Sequence, residues 1–89
     1  MIERTVTIVP EDGLHARPAS KFVETANEYD SEITVAPADG DPVNAASMLA
    51  VTGLGAKSGD DVALTTDGPD EEEAMEAVAT VLTTPESEL

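Results

Sequence analysis

The chain has 89 residues, 40% of them apolar, and its 19 acids against four bases give a formal net charge of −15. That balance excludes a nucleic-acid-binding domain, because a phosphate backbone attracts bases and repels acids. The absence of cysteine excludes a disulfide framework and a thiolate metal site. The length suits one domain, read as residues 1–84 followed by a short loose tail over 85–89. Only Phe22 and Tyr29 are aromatic, so the core has to be built from Val, Ile, Leu, Ala and Met. No apolar run is long enough to span a membrane and no charged-then-apolar leader opens the chain, so a soluble, cytoplasmic monomer is expected. The apolar positions are periodic, which argues for a fold despite the charge. So acidic and lysine-poor a surface suits an extreme halophile. Molar salt shortens the Debye length to about 3 Å and screens the repulsion.

In chain order, Ile2 to Val9 alternates, with Ile2, Val6 and Ile8 on the more apolar face, as in a half-buried strand. Pro10-Glu11-Asp12-Gly13 reads as a turn. Ala19, Phe22, Val23 and Ala26 then recur at helical spacing, extended by Tyr29. Asp30-Ser31 breaks that helix, and Glu32 to Ala36 reads as a second strand with Ile33 and Val35 on one face. The turn Pro37 to Asp41 leads to a short strand around Pro42 to Asn44. Ser47 is a favoured N-cap for a short helix, and Gly53 supplies its C-terminal signal. Gly55 to Gly59 is a turn, Asp61 to Thr66 a last strand, and Asp67-Gly68-Pro69-Asp70 the entry to a final helix. There Asp70 and Glu73 have the spacing of a capping box, and Met75, Val78, Val81 and Leu82 form the row to be buried. The acidic run at its start is read as helix capping and surface rather than a metal site. The order strand, helix, strand, strand, helix, strand, helix predicts an α+β open-faced sandwich: one four-stranded antiparallel sheet covered on one face by three helices. It does not specify the strand order.

The stretch around which this order turns is Gly13-Leu14-His15-Ala16-Arg17-Pro18-Ala19-Ser20. It holds the only histidine and one of the four bases, with Lys21 next to it. Pro18 suits the first turn of a helix, where its missing N–H has no partner to lose. It also biases Arg17 away from helical angles, so the helix is expected to begin near Ala16 to Pro18. His15 then stands just ahead of a helix N-terminus, among unpaired N–H groups and a partial positive charge, a setting that binds phosphate. Imidazole is a good nucleophile near pH 7, with an unperturbed pKa of about 6.5. Once phosphorylated it carries a labile N–P bond, and Arg17 could pair with the phosphoryl oxygens in a fork. The plain alternative is a surface histidine with no chemistry. A metal site at His15 is the poorer reading, because no second histidine or cysteine is available to complete it.

Gly13-Leu14-His15-Ala16-Arg17-Pro18-Ala19 resembles the active-site signature of the HPr family, the histidine phosphocarriers of the phosphoenolpyruvate:sugar phosphotransferase system. Asp30 to Val35 resembles the family's second strand, Ser47 to Gly55 its regulatory-serine segment, and Asp67 to Glu71 the entry to its last helix. The likeness runs from about residue 2 to residue 83. The turn after the second strand is one residue longer than in common members.

The resemblance implies a phosphocarrier in which His15 takes a phosphoryl group on Nδ1 from Enzyme I and hands it to the EIIA component of a sugar transporter. Fructose is one such sugar, and a dihydroxyacetone-kinase relay is an alternative client. It implies no cofactor, and a relay protein with a covalent phosphohistidine intermediate rather than a stand-alone catalyst. It gives Arg17 and the backbone at Ala16 and Arg17 the support of the phosphoryl group. It makes Ser47 a regulatory phosphorylation site and Ala16, Ser20, Met48, Leu49 and Thr52 a docking patch. Well-studied members carry lysines around the site, whereas the matching positions here include Glu24, Asn27, Ala46 and Ala50, leaving Arg17 and Lys21 as the nearby bases. At molar salt, docking is therefore expected to lean on the apolar patch. A regulatory adaptor worked through Ser47, and a ligand-binding sensor, are the other classes left open.

Overall fold

The computed structural model describes residues 1–89. Four strands, β1 (Ile2–Thr7), β2 (Glu32–Pro37), β3 (Val43–Asn44) and β4 (Asp61–Asp67), form one antiparallel sheet in the order β1-β4-β2-β3. Helices α1 (Ala16–Ala26), α2 (Met48–Gly53) and α3 (Glu71–Thr83) complete the open-faced sandwich. The alternation in the strands dictates the layering. Val6 faces Val62 across the β1–β4 ladder, and Leu64 is flanked by Arg4 and Val35. With Ile33 these residues form the covered face, and Val6, Ile33, Val35, Val62 and Leu64 are buried. The out-of-phase residues, among them Glu3, Thr5, Thr34, Ala63 and Thr65, are small or polar and make up the open face.

The helices close the core by their expected stripes. Ala19, Phe22 and Ala26 of α1 and Ala74, Met75, Val78 and Leu82 of α3 are buried together. Helix α3 packs on α1, β1 and β4, and α2 packs on α1 and β3. Phe22, fully buried, is the largest side chain in the core, as a chain with so few aromatics requires.

Helix α3 is tied at its start by a clasp built from distant parts of the chain. The Asp70 carboxylate does not form the expected capping box with Glu73 and makes no side-chain cap bond. Instead it accepts hydrogen bonds from the N–H groups of Asp30 and Ser31, each at 2.9 Å, and from the Ser31 hydroxyl. The Asp70 N–H donates back to Ser31 Oγ at 3.2 Å. These partners draw the carboxylate out of the local capping geometry. Beside it, the N-terminal ammonium donates to both Glu71 oxygens, and Glu71 also accepts from the Gly68 N–H at 3.1 Å. The Ser31 hydroxyl and the Asp30 N–H hold the Asp70 carboxyl below its ordinary value. The Gly68 N–H and the ammonium do the same for Glu71, and the hydrogen bond to Glu71 raises the N-terminal amine.

One smaller reading is corrected. Helix α2 reaches Gly53, with Leu54 at its C-cap in right-handed geometry, and the left-handed residue is Gly55 (φ 68°) rather than Gly53. Among the last residues, Glu86–Glu88 form one 3₁₀ turn, and Leu89 packs against the core. Glu86 Oε1 accepts from the Asp12 N–H at 3.1 Å, which ties this turn to the loop ahead of α1.

Candidate functional site

The loop from Ile8 to Gly13 carries the chain from β1 to α1, and its geometry places His15. The Gly13 N–H closes a turn onto the Pro10 carbonyl at 2.9 Å. The Leu14 N–H then donates to the Ala56 carbonyl at 3.0 Å, and its side chain is buried. His15, next in the chain, is exposed and is the N-cap of α1, in extended conformation (φ −150°, ψ 157°) with no side-chain cap bond. An imidazole spent on capping could not act as a nucleophile, and this one is not spent. No turn, loop or cap hydrogen bond uses the N–H of His15, Ala16 or Arg17, and the first N–H groups of a helix have no intrahelical partner. The first turn of α1 also contains no acid, in a chain with 19 of them. No acid of the helix itself compensates the positive end of its dipole beside His15.

Helix α1 is assigned from Ala16, ahead of Pro18. The irregular backbone lies at Ala16, the one non-glycine residue with positive φ (53°). Left-handed geometry costs an L-residue about 1–2 kcal/mol, and here it sits between the imidazole and the guanidinium. Arg17 is exposed and forms no ion pair. With Ala16 it borders an open cleft of about 410 Å³, whose other walls are Glu11, Glu86 and Ser87. Sequence reasoning missed that the chain's last turn reaches this cleft.

Of the remaining site residues, Ser20 is exposed on α1, four residues beyond Ala16 and therefore on the same face. Ser47 caps α2 as expected: its hydroxyl accepts from the Ala50 N–H at 3.2 Å. Leu49 is 84% exposed and Met48 41%, large apolar side chains in water. Thr52 is half-buried and its hydroxyl donates to the Met48 carbonyl at 2.9 Å. Packing of α2 on α1, with Asn27 Nδ2 donating to the Ala46 carbonyl, brings the elements bearing these residues side by side. No group of His, Asp and Glu side chains is arranged to hold a metal ion.

The family model described as "PTS HPr component phosphorylation site" matches residues 2–84. This chain belongs to the HPr family. It is 59% identical over 87 residues to the phosphocarrier protein HPr of Haloferax volcanii, covering 97% of this chain and 98% of that one. It is 45% identical over 78 residues to the HPr-like protein Crh of Halalkalibacterium halodurans, with 88% and 92% covered. The crystal structure of HPr from Bacillus anthracis superposes with a TM-score of 0.87 at 37% identity, covering 91% of this chain and 95% of that one. Membership gives the chain the role of a phosphocarrier that works with components of a phosphotransferase system. The halophilic relative agrees with the acid-rich surface. No helix is long and apolar enough to cross a membrane.

Proposed function

We propose that His15 is the phosphoryl acceptor, charged by Enzyme I and discharged to an EIIA protein of a sugar transporter. The observation that carries this is the exposed, uncapped imidazole at the N-terminus of α1, with the amide donors of Ala16 and Arg17 unused. The Nδ1 lone pair attacks phosphorus. The bond from phosphorus to the donor breaks, and its electron pair leaves with the donor. Nε2 keeps its proton, and the product is an N–P bond whose added negative charge faces the helix N-terminus and Arg17. Onward transfer is the same displacement with the acceptor on EIIA as nucleophile. Incubation with phosphoenolpyruvate and the cognate Enzyme I should give an acid-labile, alkali-stable phosphoprotein. His15→Ala should abolish it without loss of fold. Acid-labile label retained by His15→Ala would overturn the assignment.

Docking on this reading uses Ala16, Ser20, Met48, Leu49 and Thr52, and the exposure of Leu49 and Met48 supports it. A regulatory role for Ser47 draws support from the place of the hydroxyl, at the cap of α2 next to Met48 and Leu49. A phosphoryl group there would be tolerated by the helix end but would put charge beside the apolar side chains. Ser47→Asp should fold normally, since Asp also caps well, and should raise the KM for Enzyme I. Transfer at the wild-type rate would leave Ser47 with capping alone.

A further inference from the structure

The four bases of this chain are not spread as a solubilising surface would have them. Arg4 pairs with Glu76 at 2.9 Å. The other three, Arg17, Lys21 and Lys57, form no ion pair, although 19 acids are available. Arg17 and Lys21 lie four residues apart on the first turns of α1, as the sequence implies. Lys57 is 42 residues from His15 in the chain (57 − 15) and was not counted among the bases of the site. The fold brings its backbone against Gly13, two residues before His15. Gly13 has φ 68°, and a Cβ on it would fall 2.5 Å from the Ala56 carbonyl oxygen and 2.8 Å from the Lys57 Cα. Only a residue without a side chain allows this approach, and the Leu14 N–H to Ala56 hydrogen bond holds it shut. The backbone of Lys57 is fixed again by a turn: its N–H donates to Asp60 Oδ2 at 3.0 Å, and its carbonyl accepts from the Asp60 N–H at 2.9 Å. Its side chain is exposed. His15 is two residues beyond Gly13, at most about 7 Å along the chain, and a lysine ammonium ranges widely on its four-carbon stem.

We propose that Lys57 is a second counter-charge for the phosphoryl group on His15, a site residue supplied by the turn before β4. This rests on His15 being the acceptor. No bond to Lys57 forms or breaks: the ammonium pairs with phosphoryl oxygens as they gain charge, alongside Arg17. A contact pair of this kind is weakened less by molar salt than steering over longer distances, which is lost. It gives a chain short of site lysines a cation it can use under its own conditions.

The test needs no partner once the protein is charged. Phosphorylated wild type, Lys57→Gln and Lys57→Arg are separated from Enzyme I in molar KCl, and the phosphoryl group is titrated by ³¹P NMR. A nearby cation favours the dianion, so Lys57→Gln should raise the titration midpoint of the phosphoryl group by a few tenths of a pH unit. Lys57→Arg should stay close to wild type, which a purely structural role would not predict. A midpoint unchanged in Lys57→Gln would overturn the proposal. If the KM for Enzyme I rose while the midpoint stayed put, Lys57 would be a docking residue and the proposal would equally be lost. A wild-type protein that yields no phosphohistidine would instead sink the reading of His15 on which it rests.

Discussion

Two helix N-termini in this molecule have been finished in opposite ways. Strand β1 runs from one end of the fold to the other, and α1 runs back, so the starts of α3 and α1 lie at opposite ends. At α3, Glu71, Glu72 and Glu73 fill the first turn, and the N-terminal ammonium, Gly68, Ser31 and Asp30 consume the carboxylates of Asp70 and Glu71. Each charged group there with a displaced pKa is displaced in the direction that keeps it ionised. Neither N-cap side chain makes a cap bond, but at α1 the first turn has no acid and the guanidinium of Arg17 is unpaired. One end has its carboxylates tied into the fold, and the other carries none in its first turn and leaves its guanidinium free. Withheld donors and cations are what an incoming anion needs, so the contrast separates stability from function along one axis of the molecule.

The widest break in that contrast should come from exchanging what each end loses. Arg17→Ala should slow phosphoryl acceptance by about 100-fold, the scale for removing one preorganised group that faces developing charge. Its stability should stay within about 0.5 kcal/mol of wild type, since the side chain is exposed and unpaired. Ser31→Ala should do the reverse. Ser31 is buried and its hydroxyl exchanges two hydrogen bonds with Asp70, so loss of that hydroxyl should cost about 1–3 kcal/mol. Transfer should be unaffected. Urea denaturation and a single-turnover assay on the pair would decide it. A transfer defect in Ser31→Ala would show that the two ends are coupled.

The clasp also predicts the shape of the pH–stability curve. Asp70 and Glu71 have folded pKa values below their ordinary ones, so the unfolded chain binds more protons in acid. Their contribution is therefore complete above the ordinary carboxylate range and is lost as pH falls through the lowered folded values. The N-terminal amine has the opposite sign. Its folded pKa lies above the ordinary 8.0, so its contribution is complete below that pH and fades as pH rises through the folded value. Thermal melts should show a plateau between these limits. Asp70→Asn should flatten the acid arm and leave the alkaline one alone, while Arg17→Ala should change neither. An acid arm of wild-type steepness in Asp70→Asn would place the acid sensitivity elsewhere among the carboxylates.

What could be read from the residues follows the range of the forces involved. The elements were legible because strand alternation and helix stripes are local patterns, and Ile33, Val35, Phe22 and Val78 were buried where those patterns put them. His15 at a helix start was legible because Pro18 marks the first turn and Ser47 because its hydroxyl caps three residues ahead. The strand order β1-β4-β2-β3 was not, since it depends on which ladders the whole chain can close. Asp70 had the local spacing of a cap, and the Ser31 hydroxyl, 39 residues away, competed for it and won. Lys57 was invisible as a neighbour of the site for the same reason. The signal that could have found it is Gly13, a glycine whose purpose was read as a turn and which also admits another backbone.

The smallest predicted effect is the most diagnostic of how the withheld end is built, because its sign carries the information. In an ordinary helix, Ala→Gly costs roughly 0.5–1 kcal/mol through the freedom gained by the unfolded chain. At Ala16, with φ 53°, that loss is opposed by relief of left-handed strain worth about 1–2 kcal/mol. Ala16→Gly should therefore be as stable as wild type or more stable, by up to about 1 kcal/mol. It should also transfer more slowly, by a few-fold, because a glycine between His15 and Arg17 no longer fixes the angle between imidazole and guanidinium. Denaturant midpoints with unchanged m-values would measure the first effect, and single-turnover rates the second. A loss of about 1 kcal/mol would mean that residue 16 follows the ordinary helix rule and that no strain is held beside His15. A gain in stability without a loss in rate would mean that the strain exists but does not orient the site.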